Sequence, residues 1–207
     1  MSLFRKPGVR TRRLSAYLAK RARTRSEARP SLDCSHFPQL FCPRAIVFTD
    51  TDDFTKLVAR RGILHFLMLF DRAVQAVTPA VVRHVGDVVK VEGDSLLLRF
   101  ADVASACRAV RGMEAALTRL RRGRPKDEFL AFSYGIGFGD VLDLEHDVFG
   151  LEVNIASKLG EDMAKRGQVL LTPAAAAALP EALLRRVRPH RLVTFEGRAI
   201  PIQRLTI

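Results

Sequence analysis

Two aspartates stand where an acid can meet a metal. Asp50 follows directly on the apolar run 45–49, which reads as a short buried strand, so its carboxylate sits at a strand's C-terminal end. Asp94 follows Gly93 in a turn between two β-rich runs, 88–91 and 95–100. Two carboxylates on strand ends separated by a helix can converge on one divalent cation. Mg²⁺ prefers hard oxygens and is commonly held by one or two carboxylates together with substrate phosphates. Each acid also has a plainer reading. Turns recruit Asp for reasons unrelated to catalysis, and Asp52 or Asp53, in the polar stretch 51–55, is placed to cap the helix that follows.

The elements that must position these acids alternate in type. Apolar residues recur at helical spacing over 57–85, and after the hairpin a second helix is read over 103–120, closed by the basic Gly/Pro loop 121–125. A glycine-punctuated strand over 129–141, a helical period over 149–166 and a short strand over 168–172 follow. A short helix over 174–179 and strands over 192–195 and 200–205, turning at Gly197, complete the chain. Helices alternating with hairpins predict an α/β (α+β) sandwich of ferredoxin-like character, with a mostly antiparallel sheet flanked by helices.

At 207 residues and 48% hydrophobic the chain can bury one core of ordinary size. The net charge of +12 is uneven: residues 1–30 hold ten Lys and Arg against Glu27 alone, a net +9 that leaves +3 for the rest. Leu14, Tyr17 and Leu18 fall at i, i+3, i+4 within that segment, as in a short basic amphipathic helix. Contact with an anionic membrane surface or another polyanion, a docked arm, and a solvated tail all fit it. Residues 31–44 read as a linker, which divides the chain into a basic tail and linker over 1–44 and a folded domain over 45–207. Cys34, Cys42 and Cys107 show neither disulfide nor zinc spacing. No run reaches the ~20 apolar residues of a membrane span, and the N-terminus lacks a secretory apolar segment, so a cytoplasmic location is expected.

Three ordered blocks carry a resemblance. Ala45-Ile-Val-Phe-Thr-Asp-Thr-Asp-Asp-Phe-Thr55 resembles the opening motif of class III adenylate/guanylate cyclase catalytic domains, and the stretch from His84 through Lys90-Val-Glu-Gly-Asp94 to Phe100 resembles their second. The third block, Tyr134-Gly-Ile-Gly-Phe-Gly-Asp140 followed by Asp147-Val-Phe-Gly-Leu-Glu-Val-Asn-Ile-Ala-Ser-Lys-Leu159, is similar to their strand and helix motifs. The resemblance implies two Mg²⁺ or Mn²⁺ ions bound by Asp50 and Asp94, with the Thr51 backbone carbonyl as a further ligand. It implies that Lys90 and Asp147 read the purine edge in a pattern that fits adenine, that Asn154 orients the ribose, and that Phe54 and Thr55 bind substrate in the turn that cradles the phosphates. It also implies a head-to-tail homodimer, since the metal and base-reading residues come from opposite faces, with a nucleoside triphosphate, ATP by preference, as substrate.

The sequence departs from the family at two positions. Lys158 stands where the family has an arginine that stabilises transition-state charge, and an ammonium lacks the planar fork. Asp53 stands where the family has glycine in the phosphate turn. Arg198, in Glu196-Gly197-Arg198, is a candidate for serving the triphosphate from the C-terminal hairpin. Two alternatives accompany the adenylate cyclase reading: a pyrimidine cyclase of the antiphage-defence type, because cytosine's amine also needs an acceptor, and a non-catalytic cyclase-like module for nucleotide binding or dimerisation.

Overall fold

The computed structural model describes residues 8–207, so Arg5 and Lys6 of the basic segment lie outside the described residues. The fold is organised around β1 (Phe41–Thr51). Ala45 and Val47 enter one hydrophobic core while Ile46 and Phe48 enter another on the opposite side. The unbroken apolar run before Asp50 is therefore the signature of a strand covered on both faces.

The hairpin of β2 (Asp87–Glu92) and β3 (Ser95–Phe100) lies on one side of β1, and β4 (Phe132–Asp143) on the other. Beyond β4 come β6 (Val169–Leu171), β8 (Arg198–Leu205) and β7 (Val187–Phe195), giving the order β2-β3-β1-β4-β6-β8-β7, while β5 (Val148–Phe149) pairs with β4 alone. Among the described residues only β4 and β6 run parallel, so the sheet is mostly antiparallel, as the sequence predicts.

Helices α4 (Ile63–Arg83) and α5 (Val103–Arg121) cover one face, burying Phe66, Leu69, Val77, Val110 and Met113 against Leu96, Leu98, Phe132 and Ile136. Fully burying each such side chain stabilises the fold by about 1.5–3 kcal/mol. Asp102 caps α5 by accepting from the Ser105 N–H at 2.7 Å. On the other face α6 (Leu151–Lys158) lies directly on β4. A Cβ at Gly135 would sit 2.0 Å from the Ala156 carbonyl oxygen, and one at Gly137 would sit 2.5 Å from that of Glu152. The glycine punctuation of this strand is thus the condition for α6 to approach, which is how Asn154 and Lys158 are placed.

Three expectations are corrected. The residues read as a linker form α2 (Arg29–Leu40) and the start of β1, following the basic helix α1 (Val9–Arg23). Their Pro, Ser and Cys obscured a helical period that tertiary contact sustains. The long helix read over 57–85 is two, α3 (Phe54–Arg61) and α4, broken at Gly62, whose φ of +84° is a glycine conformation. The helical period over 149–166 is α6 followed by one π-helical turn, Leu159–Met163, a feature frequent at functional sites. The chain closes with the short helices α7 (Pro173–Ala177) and α8 (Glu181–Leu184), followed by the β7–β8 hairpin. Among the described residues no helix is long and apolar enough to cross a membrane.

Candidate functional site

Strand register assembles the first pair of acids. Thr49 of β1 faces Leu96 of β3, and continuing that register sets Asp50 beside Ser95 and Thr51 beside Asp94. The contacts agree: the Ser95 hydroxyl donates to Asp50 Oδ1 at 3.4 Å, and the Thr51 hydroxyl donates to Asp94 Oδ2 at 2.5 Å. On the β4 side, the Ser133 hydroxyl reaches the Asp50 carbonyl at 3.3 Å and the Gly160 carbonyl at 2.8 Å, tying the strand end to the π-helical turn.

Burial pushes the Asp50 carboxyl up to about 6, and the Asp94 and Glu161 charges add to it. Glu161, in the π-helical turn, is itself raised, chiefly by burial, with Asp162 and Asp94 contributing. Like charges crowded in a half-buried setting disfavour ionisation, and a cation between them would reverse that. Among the described residues no group of three or more His, Cys, Asp or Glu side chains gathers into a cage. The donor set is two hard carboxylates on strand ends, which fits Mg²⁺ or Mn²⁺ completed by substrate phosphates better than a closed protein site.

The second pair is brought together from farther apart in sequence. Lys90 Nζ of β2 lies 3.2 Å from Asp147 Oδ2, across 57 positions, and 3.1 Å from Glu92 Oε2. Asp147 ends the four-residue turn between β4 and β5, where its other oxygen accepts from the Val148 N–H at 2.9 Å. Burial works to lower the Lys90 pKa, but Glu92 and Asp147 outweigh it and the net shift is upward. The result is an ammonium and a carboxylate side by side at the rim, a donor and an acceptor in reach of one planar edge. No hydrogen bond or ion pair joins this pair to Asp50 or Asp94 among the described residues.

No family model matches the chain. A 128-residue stretch is 27% identical to the Rhizobium meliloti (strain 1021) protein named "Putative adenylate cyclase 3", covering 62% of this chain and 22% of that protein. The chain therefore spans about a fifth of the length of the curated relative it matches. Among solved structures, the adenylate/guanylate cyclase/hydrolase from Silicibacter pomeroyi superposes with a TM-score of 0.68 at 22% identity, over 81% of this chain and 98% of that one. The adenylyl cyclase CyaB from P. aeruginosa gives 0.64 at 18%, over 81% and 95%. The guanylate cyclase domain of RhGC from Catenaria anguillulae, in complex with GTP, gives 0.66 at 17%, over 79% and 96%. The chain has the fold of adenylate/guanylate cyclase catalytic domains.

Within this cyclase fold the remaining sequence-predicted residues divide. Asn154 is exposed on α6, available to a neighbouring molecule. Lys158 is turned along the helix to Asp162, Nζ to Oδ2 at 3.3 Å. Phe54 packs edge-on against Phe66 with ring centroids 4.7 Å apart, so it anchors the turn to the core, while Thr55 is exposed beside it. Arg198 begins β8, which the sheet order separates from β1 by β4 and β6, so one chain does not bring it to Asp50.

Asp53 explains its own departure. It takes φ +67°, the left-handed conformation that glycine adopts freely and that Asp tolerates better than most residues. It occupies the N-cap position of α3, yet its side chain makes no cap; it pairs with Lys56 Nζ at 2.6 Å. Sequence reasoning missed Glu161, Ser95, Ser133 and the Thr51 hydroxyl. Ser95 and Thr51 were findable by extending the β1–β3 register, whereas Glu161 follows from a π-helical turn that no period announces.

Proposed function

We propose that the chain is a nucleotidyl cyclase that converts ATP to 3′,5′-cyclic AMP and pyrophosphate at a site shared by two copies arranged head-to-tail. The observation that carries the reading is that one chain holds two separate pairs, Asp50 with Asp94 and Lys90 with Asp147. Each pair is half of what nucleotide cyclisation needs. A twofold axis relating two copies would set one chain's acids against its partner's base-reading pair and generate two equivalent sites.

Asp50 and Asp94 would hold the Mg²⁺ or Mn²⁺ ions, with the Thr51 carbonyl completing the protein donors. When bound, the metal supplies Lewis-acid polarisation and charge neutralisation for phosphoryl transfer. The Ser95 and Thr51 hydroxyls each hold one of the two carboxylates by a hydrogen bond, to Asp50 and Asp94 respectively. Lys90 donates to adenine's ring nitrogen while Asp147 accepts from its exocyclic amine. Guanine would set a carbonyl against that carboxylate, and an unpaired polar group at a closed site costs about 1–3 kcal/mol. Asn154 orients the ribose so that its 3′-oxygen lies in line with the α-phosphorus. The O3′–Pα bond forms, the bond from Pα to the bridging oxygen breaks, pyrophosphate leaves, and the 3′-hydroxyl proton passes to solvent.

The test is incubation of the purified chain with ATP, GTP, CTP and UTP in turn, with Mn²⁺. Cyclic AMP as the main product, lost in Asp50→Ala, is the expected result. A cyclic pyrimidine as main product would replace the base assignment, and nucleotide binding without any cyclic product would leave a non-catalytic module.

A further inference from the structure

The densest polar cluster outside the two pairs lies at the β4–β5 turn, at its junction with the N-terminal helix. Asp143, whose side chain is 2% exposed, ends β4 and is gripped by three arginines. Arg10 of α1 reaches it at 2.7 Å, Arg44 of β1 at 3.0 Å, and Arg99 of β3 pairs with its other oxygen. Arg99 also donates to the Leu144 carbonyl at 2.8 Å, and Arg10 to the Asp143 carbonyl at 3.2 Å. Two residues on, Glu145 receives the first turn of α1: the Arg10 N–H at 2.6 Å, the Thr11 N–H at 3.1 Å and the Thr11 hydroxyl at 2.7 Å. These are N–H groups that a helix leaves unpaired at its start. Gly8 permits the approach, since a Cβ there would fall 2.3 Å from the Glu145 carboxyl carbon.

Two residues further is Asp147. Its carbonyl accepts from the Leu144 N–H at 2.9 Å, closing the turn, and its carboxylate accepts from Val148 and Lys90. The turn that presents the base-reading carboxylate is thus held at 143 and 145 by a helix that begins more than a hundred residues earlier in the chain. At its far end that helix is braced on α2 by Arg21, bidentate to Asp33 at 2.8 and 3.1 Å.

We propose that Arg10, Asp143 and Glu145 are positioning residues for Asp147, so that docking of α1 sets base recognition while leaving the metal half of the site untouched. The inference rests on the cyclase reading for the role of Asp147, but not for the mechanical link. The Glu145 carboxyl is held down to about 2, first by the Thr11 hydroxyl, so the contact is intact at neutral pH. Among the described residues no hydrogen bond or ion pair joins this network to Asp50, Asp94, Thr51 or Ser95. The basic segment is accordingly a docked arm over α1, with its charge at Arg10 committed to the body of the protein.

The test uses the full-length chain and two substitutions, Glu145→Ala and Arg10→Ala, alone and together, with Arg10→Lys as the conservative variant. Amide exchange reads the link without reference to activity. Leu144 and Val148, whose N–H groups bond to Asp147, should exchange about tenfold faster in the double variant, while Leu96, bonded to Thr49 Oγ1 beside the acids, should keep its wild-type rate. In turnover, KM for ATP should rise about tenfold with kcat within about twofold, the preference for ATP over GTP should fall by a similar factor, and the Mn²⁺ requirement should not move. Arg10→Lys should recover most of the preference. The proposal is overturned if α1 amides exchange freely while Leu144 and Val148 stay protected. It is equally overturned if Leu96 loosens in step with them, or if the turn loosens and base preference is unchanged. Should the wild-type chain make no cyclic nucleotide, the cyclase reading fails, and the exchange pattern alone still decides whether α1 positions the turn.

Discussion

The two pairs of charged residues are built by different means. Asp50 sits near the end of β1 and Asp94 in the turn just before β3, beside strands whose residues Val47, Phe48, Leu96 and Leu97 are at most 7% exposed. Their spacing is fixed by register, and a one-residue slip would turn both away. Lys90 and Asp147 sit at the rim, on a β2 position next to an irregularity in the β2–β3 pairing and on a four-residue turn. Their spacing depends on an ion pair and on what braces the turn. One half is rigid and electrostatically uncomfortable without a cation. The other is electrostatically satisfied and held by its surroundings. On the proposed reading, the chemistry that must not vary would rest on the core, while selectivity would rest where a distant helix can reach it.

The sharpest break in that comparison comes from the rigid half. Asp50→Ala should lower cyclic nucleotide formation by on the order of 10³-fold or more, since loss of a metal carboxylate removes several kcal/mol of transition-state stabilisation. Circular dichroism should show an unchanged fold, because the substitution removes a carboxyl whose charged form burial disfavours and no buried apolar packing. At the rim, Asp147→Ala should cost less, on the order of 10- to 100-fold in kcat/KM for ATP, and should narrow the gap between ATP and GTP, read in steady-state competition between the two. Equal losses at Asp50 and Asp147 with base preference unchanged would erase the distinction between the halves.

Two smaller effects sharpen it. Lys158 pairs with Asp162 along its own helix, and an arginine there restores a planar fork able to reach two oxygens, so Lys158→Arg should raise kcat by about tenfold, measured by initial rates at saturating ATP and Mn²⁺. The last concerns pH. Asp50 titrates near 6 in the fold against 3.8 in its unperturbed state, so between those values the folded chain binds more protons than the unfolded one. The contribution to stability is therefore present at low pH and is lost as pH rises through about 6. Without metal, the melting temperature of the wild type relative to Asp50→Asn should rise by a few degrees between pH 7 and pH 5, and saturating Mn²⁺ should abolish the difference.

Much of the rigid half was legible in sequence because it depends on local patterns: an apolar run, a Gly93 turn and a hairpin. The placement of Lys90 opposite Asp147 was legible only through the resemblance, since 57 residues separate them. What composition concealed is instructive. Residues 31–40 carry helix-poor Pro, Ser and Cys and still form α2, because Arg21, Asp33 and Tyr17 tie it to α1. Gly62 breaks a continuous helical period through one left-handed φ, and Glu161 enters the site only because a π-helical turn displaces the α-helical phase. Asp53 reads as a helix cap or as a loss at the phosphate turn, yet it keeps the backbone shape of glycine and gives its charge to Lys56.

The central claim is that an active site takes one half from each of two copies, and mixing tests it most directly. Asp50→Ala and the double variant Lys90→Ala/Asp147→Ala should each be nearly inactive with ATP alone. Combined in equal amounts under exchanging conditions, half the dimers are mixed and each of those carries one intact site, so activity should recover to about a quarter of wild type. Activity that stays at the average of the two variants would contradict the shared site.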